Sequence, residues 1–291
     1  MSRIYFPYVL TTPSIISLKS HTDFPSTAIK AAAVTLKALE LNPAACEPTQ
    51  TGFNVANNTT DIEPMFATFG KDPRRAKRMG SAMASLTGGE GYEPSYLFNN
   101  YPWAALDAKS ATLIDVGGSH GFICTALAEK YPNMKFVVQD LPRTIASAPE
   151  LPPHLKERVT FQAHDFYTTQ PVKGADIYYF RWILHNQSDK YAIKMLRALI
   201  PALKKGAKVV INDHCLKEPG EEGMWDEKIM RTMDLVMLSL LNAKERSEGE
   251  FRELFREVDE GFRFLGVERA EGCRMSVVEA VWEGEEYGGV V

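Results

Sequence analysis

The segment Leu113-Ile114-Asp115-Val116-Gly117-Gly118-Ser119-His120-Gly121 constrains this chain more than any other. An apolar, β-branched run of the kind buried on both faces of a parallel sheet enters glycines and passes directly into a helical pattern. Such a turn lies at the carboxyl end of a strand, where open α/β sheets bind ligands and where glycine lets the backbone approach them. The spacing is not G-x-G-x-x-G, which disfavours a dinucleotide, and no G-K-[ST] follows, which disfavours a phosphate loop.

The rest of the C-terminal two-thirds fits the same frame. Strands are expected at Ala111–Val116, Lys135–Gln139, Val159–Ala163, Asp176–Phe180 and Lys208–Asn212. Between and after them fall helical patterns at Phe122–Lys130, Ser188–Leu203, Glu227–Leu241 and Glu248–Val258. Phe262–Val267 and Met275–Trp282 suit an antiparallel pair at a sheet edge. Strand–helix alternation of this length predicts an α/β fold, a doubly wound, mostly parallel sheet with an antiparallel C-terminal strand pair. Upstream the texture differs: Thr, Ser, Pro, Ala and Asn dominate to about residue 62, with one helix expected over Ser26–Leu41 and a loop at Asn57–Thr60. Short helices follow at Pro64–Gly70 and Arg74–Leu86, the second ended by Gly88-Gly89.

Composition excludes several classes. A formal charge of −4 argues against a nucleic-acid partner; the basic group Lys71, Arg74, Arg75, Lys77 and Arg78 reads as a solvated helix face. Cys46, Cys124, Cys215 and Cys273 are widely spaced and read as reduced thiols. No apolar run is long enough to span a bilayer, and Ile4–Leu10, interrupted by Pro7, makes a poor signal peptide. The expectation is a cytoplasmic protein without a membrane partner.

Chemistry concentrates at the strand ends. Asp140, in Gln139-Asp140-Leu141-Pro142, is placed to accept hydrogen bonds from a ribose diol. Asp165-Phe166 after the third strand offers a carboxylate and a ring for an adenine. Together with the glycines they suit an adenosine without phosphates, whereas each acid alone reads equally as a turn or helix cap. His185 follows a strand and a short turn, so it should stand above the carboxyl edge of the sheet. An imidazole there, with an ordinary pKa near ~6.5, suits removal of a hydroxyl proton near neutral pH. His120, His164 and His214 are weaker candidates; by strand alternation His164 and His214 should face away from their neighbours. Met79, Met83, Met230, Met233 and Met237 share helical spacings that fit core packing, with the later three the better candidates for a pocket wall.

In these motifs the chain resembles the S-adenosylmethionine-dependent small-molecule O-methyltransferases of the plant caffeate type and their fungal secondary-metabolism relatives, over roughly residues 62–285. The glycine signature D-V-G-G-G-x-G is Asp115 to Gly121 with Ser119 at the third glycine. D-L-P is Asp140-Leu141-Pro142, and the acid–aromatic step is Asp165-Phe166. The strand-end signature is Arg181-Trp182-Ile183-Leu184-His185-Asn186-Gln187-Ser188-Asp189, and the late E-R-[TS]-x-x-E-F is Glu245 to Phe251. Tyr101-Pro102-Trp103 is also similar.

The resemblance implies an S-adenosyl-L-methionine cofactor held by Asp115, Gly117, Gly118, Gly121, Asp140, Leu141, Asp165, Phe166 and Arg181, with no metal. It implies His185 as general base, flanked by Asp213 and Glu245, and a phenolic or enolic hydroxyl of a small aromatic or polyketide-like metabolite as acceptor. It divides the chain into an N-terminal remnant of a dimerisation region (1–62), a helical substrate-side linker (63–104) and a cofactor-binding catalytic domain (105–291). Tyr8–Ser14 resembles the tail of that dimerisation region, and a homodimer would be weakened by its shortness. Asn186 stands where the family often has Asp, and Ser119-His120 add bulk to the glycine loop. Other readings are a relative that uses the sulfonium for rearrangement or cyclisation without methyl transfer, and a non-catalytic partner protein. A nicotinamide dehydrogenase is disfavoured by the glycine spacing.

Overall fold

The computed structural model describes residues 23–87 and 89–285. The expectations for Ile4–Leu10 and Tyr8–Ser14, and for Gly88 as a helix end, lie outside the described residues.

The strands are β1 (Thr112–Val116), β2 (Lys135–Asp140), β3 (Val159–Ala163), β4 (Ile177–Arg181), β5 (Lys208–Asp213), β6 (Cys215–Leu216), β7 (Arg246–Ser247), β8 (Phe262–Glu268) and β9 (Ser276–Trp282). Seven form one sheet in the order β3-β2-β1-β4-β5-β9-β8. The first five run parallel, and β9 is antiparallel to both β5 and β8. The doubly wound sheet with an antiparallel C-terminal pair is therefore as expected. The order reverses between β1 and β4, so a crevice opens at the carboxyl ends of those two strands.

The strands are apolar on both faces because both faces are covered. Ile114, Tyr178, Phe180, Val209 and Ile211 pack with Leu196, Phe251 and Phe255 from the helices Asp189–Leu199 and Glu248–Val258. Leu113, Ile177, Tyr179 and Val210 pack on the opposite side with Trp103, Ile123 and Leu127. The helix Glu248–Val258 begins with a capping box, Ser247 and Glu250 each taking up the other's backbone N–H, worth about 1 kcal/mol.

The N-terminal helices form a layer on the long helix Met224–Leu241. Ala31, Phe53, Met65, Phe69 and Met79 share a core with Met237, Leu240 and Leu241. Met79 and Met237 are thus core residues, while Met83 is exposed. The single helix expected over Ser26–Leu41 is instead two, Asp23–Ala33 and Thr35–Leu41. It breaks where Gly52 presses on the Ala31 carbonyl, leaving no room for a side chain at 52, and the Thr35 hydroxyl donates to that carbonyl at 2.9 Å.

Among the described residues four further α-helices are unexpected from the sequence: Gly52–Asn57, Pro94–Asn100, Trp103–Asp107 and Pro142–Ala146. Among the described residues no helix is long and apolar enough to cross a membrane. The four cysteines are free, Cys124 and Cys215 buried. In the basic group, Lys71, Arg74 and Lys77 are exposed and Arg75 lies over the Phe69 ring.

Candidate active site

The glycine turn is shaped by what surrounds it. Gly117 and Gly121 adopt φ of +78° and +70°, where a side chain is strained. A Cβ at Gly117 would fall 2.6 Å from Ile183 Cδ1, and one at Gly118 would fall 2.4 Å from the carboxylate of Asp115. The turn is tied to the end of β2: the Gly117 and Gly118 N–H groups donate to the Gln139 carbonyl at 2.8 and 3.0 Å. Beneath it the buried amides of Gln139 and Gln170 hydrogen-bond reciprocally, each at 2.8 Å. Ser119 holds φ of +52°, the left-handed conformation that glycine accommodates more easily.

Asp140 accepts the Ser119 N–H at 2.9 Å on one oxygen and the Leu141 N–H at 2.8 Å on the other. A carboxylate has lone pairs left after two such bonds, so Asp140, half-buried at the crevice, can also accept from a diol. Leu141 is 54% exposed beside it. Asp165 is exposed and accepts the Tyr167 N–H, and the half-buried Phe166 ring lies next to Gly117. This rim, with glycines below, an acid for hydroxyls, and apolar Leu141 and Phe166 for a base, fits a nucleoside. Asp115 is buried behind the turn and hydrogen-bonded by the Cys124 thiol at 3.4 Å; burial pushes its carboxyl up to about 7. The Arg181 guanidinium turns to the Asn212 side chain and, at 3.0 Å, to the Tyr92 carbonyl.

His185 stands two residues beyond Ile183, in a single turn of 3₁₀-helix after β4, and is 7% exposed. Its Nδ1 lies 3.0 Å from Glu245 Oε1, and its backbone N–H donates to Asp213 Oδ2 at 3.0 Å. The three residues assigned together from the sequence therefore meet, with a division of work: Glu245 addresses the ring, Asp213 the backbone. Burial by itself would lower the His185 pKa; the Glu245 charge and hydrogen bond, with Asp213 adding, reverse this and raise it. Burial likewise opposes ionisation of Glu245, but the imidazoles of His185 and His214 outweigh it and hold the carboxyl well below its usual range. For Asp213 burial dominates and raises the pKa.

His214 does not face away, contrary to the alternation argument. β5 ends at Asp213, so the alternation stops there and the His214 ring swings to the same carboxylate, Nδ1 lying 3.2 Å from Glu245 Oε1. Its Nε2 is 3.2 Å from the Tyr92 hydroxyl. Trp182 sits among these groups at φ of +58°, an unusual conformation for a bulky residue. Its ring centroid is 4.9 Å from that of His185 and 5.0 Å from that of His214. Strain of this kind clusters at functional sites. Asp213 Oδ1, Glu245 Oε2, Trp182 Nε1 and His214 Nδ1 are buried without hydrogen-bond partners, the last within 3.2 Å of Glu245 but off the hydrogen-bond line, so the cluster carries polar capacity that the protein itself leaves unused.

Glu245 and Arg246 extend from the long helix into β7, which pairs with β6 just after His214. The Glu245 N–H donates to Asp234 Oδ1 at 2.9 Å. The fully buried Arg246 guanidinium donates to the carbonyls of Leu184 and Gln187 and to Asp189, at 2.8–3.0 Å. Behind Tyr92, a cavity of about 620 Å³ is lined by Tyr92, Tyr96, Tyr101, Arg181, Asn212 and Met275. Among the described residues no three His, Cys, Asp or Glu side chains gather in a way that could hold a metal ion.

Trp182 and Ile183 lay inside a motif visible in the sequence, and His214 adjoined Asp213. Tyr92 carried no local signal, because these partners lie 89 to 122 positions away.

Comparison with known proteins bears on this site. Residues 66–263 match the family model described as O-methyltransferase domain. The chain is 54% identical over 259 residues to the chlorophenol O-methyltransferase of Trichoderma longibrachiatum, covering 88% of this chain and 56% of that one. It is 42% identical over 237 residues to the grayanic acid biosynthesis cluster O-methyltransferase of Cladonia grayi, covering 80% and 52% respectively. It thus spans little more than half the length of these relatives. Among solved structures, OxaC in complex with SAH and oxaline superposes with a TM-score of 0.75 at 24% identity, covering 94% of this chain and 67% of that one. LepI in complex with SAM gives 0.72 at 23% identity, covering 95% and 69%.

Proposed function

The chain belongs to the O-methyltransferase domain family, and from that premise we propose that it methylates a phenolic or enolic hydroxyl of a small aromatic metabolite, with His185 as general base. The observation that carries this is the buried imidazole of His185, held through Nδ1 by Glu245 while its turn borders Gly117 through Ile183. The 54% identical relative is named for chlorophenol, which favours a phenol as acceptor.

S-Adenosylmethionine would supply an electrophilic methyl group on a sulfonium. Asp140, Leu141 and Phe166 would hold its nucleoside, and the glycine turn would pass beneath it. The protein's own share is alignment and proton removal. With Nδ1–H donated to Glu245, the lone pair of His185 is on Nε2, which takes the hydroxyl proton. Glu245 then stabilises the imidazolium that forms. In this reading residues 105–291 are the cofactor-binding unit, 63–104 the substrate-side helices and 1–62 the end of a dimerisation region.

The test is transfer of isotopically labelled methyl from S-adenosylmethionine to a panel of phenols that includes chlorophenols. Labelled product one methyl heavier than the acceptor is expected. A protein that binds the cofactor but returns products of unchanged mass would overturn methyl transfer in favour of rearrangement.

A further inference from the structure

Glu245 Oε1 has an imidazole Nδ1 on either side, His185 at 3.0 Å and His214 at 3.2 Å. The His185 contact is a hydrogen bond and the His214 contact a close electrostatic one off the hydrogen-bond line; a lone pair on either nitrogen would face a carboxylate oxygen, so both rings carry their proton on Nδ1. That leaves His214 Nε2 as an acceptor, and the Tyr92 hydroxyl, 3.2 Å away, is the donor that satisfies it. His214 is completely buried and Tyr92 nearly so. The Trp182 ring packs against all three aromatic partners and keeps the His214 and His185 rings apart.

From this arrangement we infer that His214 is a positioning residue: it shares the Glu245 carboxylate with His185, with the Tyr92 hydroxyl fixing its tautomer, and so limits how strongly His185 holds a proton. The inference deepens the proposed role of His185 and rests on that reading. A carboxylate facing two imidazole N–H groups stabilises charge on each less than a carboxylate serving one. The Tyr92 hydroxyl on Nε2 keeps the His214 proton on Nδ1, toward Glu245.

The other charges around the cluster are Asp213, on the His185 backbone, and Asp234, on the Glu245 backbone. Arg246 is bound to Asp189. Arg181 is bound to the Tyr92 carbonyl, and Arg274, paired with Asp226, lies over the Tyr92 ring. All of them persist in the variants below.

The experiment is a titration of the His185 imidazole by ¹³C–¹H NMR of the protein alone, its signal assigned by its disappearance in His185→Gln. In His214→Leu the Glu245 carboxylate serves one ring, and the His185 midpoint should rise by about half a pH unit, a threefold gain in proton affinity. In Tyr92→Phe the His214 tautomer is no longer fixed, its claim on Glu245 weakens, and the His185 midpoint should rise by a smaller amount. The acid limb of kcat/KM for methyl transfer should move in the same direction. A midpoint that stays put or falls in either variant would overturn the inference. Should His214→Leu fail to fold, Tyr92→Phe, which removes one oxygen atom, decides alone. The NMR titration needs no turnover, so a wild-type protein that transfers no methyl refutes the proposed reaction without touching this result.

Discussion

The Asp213 carboxylate accepts the backbone N–H of His185 at 3.0 Å, and the imidazole of that residue belongs to Glu245 instead. Two acids that look alike in the sequence thus do different things. One fixes where the turn lies; the other fixes which nitrogen carries the proton.

Glu245→Gln should therefore reduce kcat by at least about a hundredfold, the lower end of what a positioned base supplies. Asp213→Asn keeps an oxygen acceptor for the His185 N–H and should stay within about tenfold of wild type, because one neutral hydrogen bond contributes roughly 1 kcal/mol. Steady-state kinetics on a responsive phenol check both. Equal losses would refute the division of roles.

Gly118→Ala should destabilise the fold by about 1–3 kcal/mol through overpacking. Gly118 does not adopt a left-handed backbone, so the penalty comes from a Cβ placed 2.4 Å from the Asp115 carboxylate. Thermal melting reports the loss, and calorimetry with S-adenosylmethionine should show binding weakened in parallel.

Ser119→Gly should act in the opposite sense. Serine at φ of +52° is strained, and removing the side chain should stabilise by up to about 1 kcal/mol after glycine's larger unfolded-state entropy is subtracted. A shift of the urea midpoint at unchanged slope would verify it.

Asp115 makes folding stability depend on pH. Burial moves its carboxyl from 3.8 to about 7. Between those values the folded chain keeps a proton that the unfolded chain releases, so this group's contribution falls as pH rises through that window. The loss is on the order of 4 kcal/mol at most. Asp115→Asn should flatten the slope. Denaturant titrations of both proteins at pH 4 and pH 8 check the sign.

Much of the fold was legible because strand and helix periods agree with burial on both faces of the sheet. Phe122–Lys130, Val159–Ala163 and Glu248–Val258 fall at their expected bounds. The break at Val34 was not legible, since it falls where Gly52, distant in sequence, packs too close to the Ala31 carbonyl for any side chain at 52. The Gly52–Asn57 helix has weak intrinsic propensity and depends on the Thr51–Asn54 capping box. In the site, motif order brought His185, Asp213 and Glu245 into one group. Period-two reasoning then misplaced His214, because such reasoning holds only while a strand lasts, and β5 stops one residue earlier.

Arg246 grips three points of the 184–189 stretch at once while its backbone continues from Glu245. The segment bearing the imidazole and the segment bearing its carboxylate are thereby locked as a single block. In the proposed reaction an acceptor would meet that block as a fixed edge, and acceptors of different shape would be accommodated by the surrounding helices while the 3.0 Å contact on the imidazole stays constant.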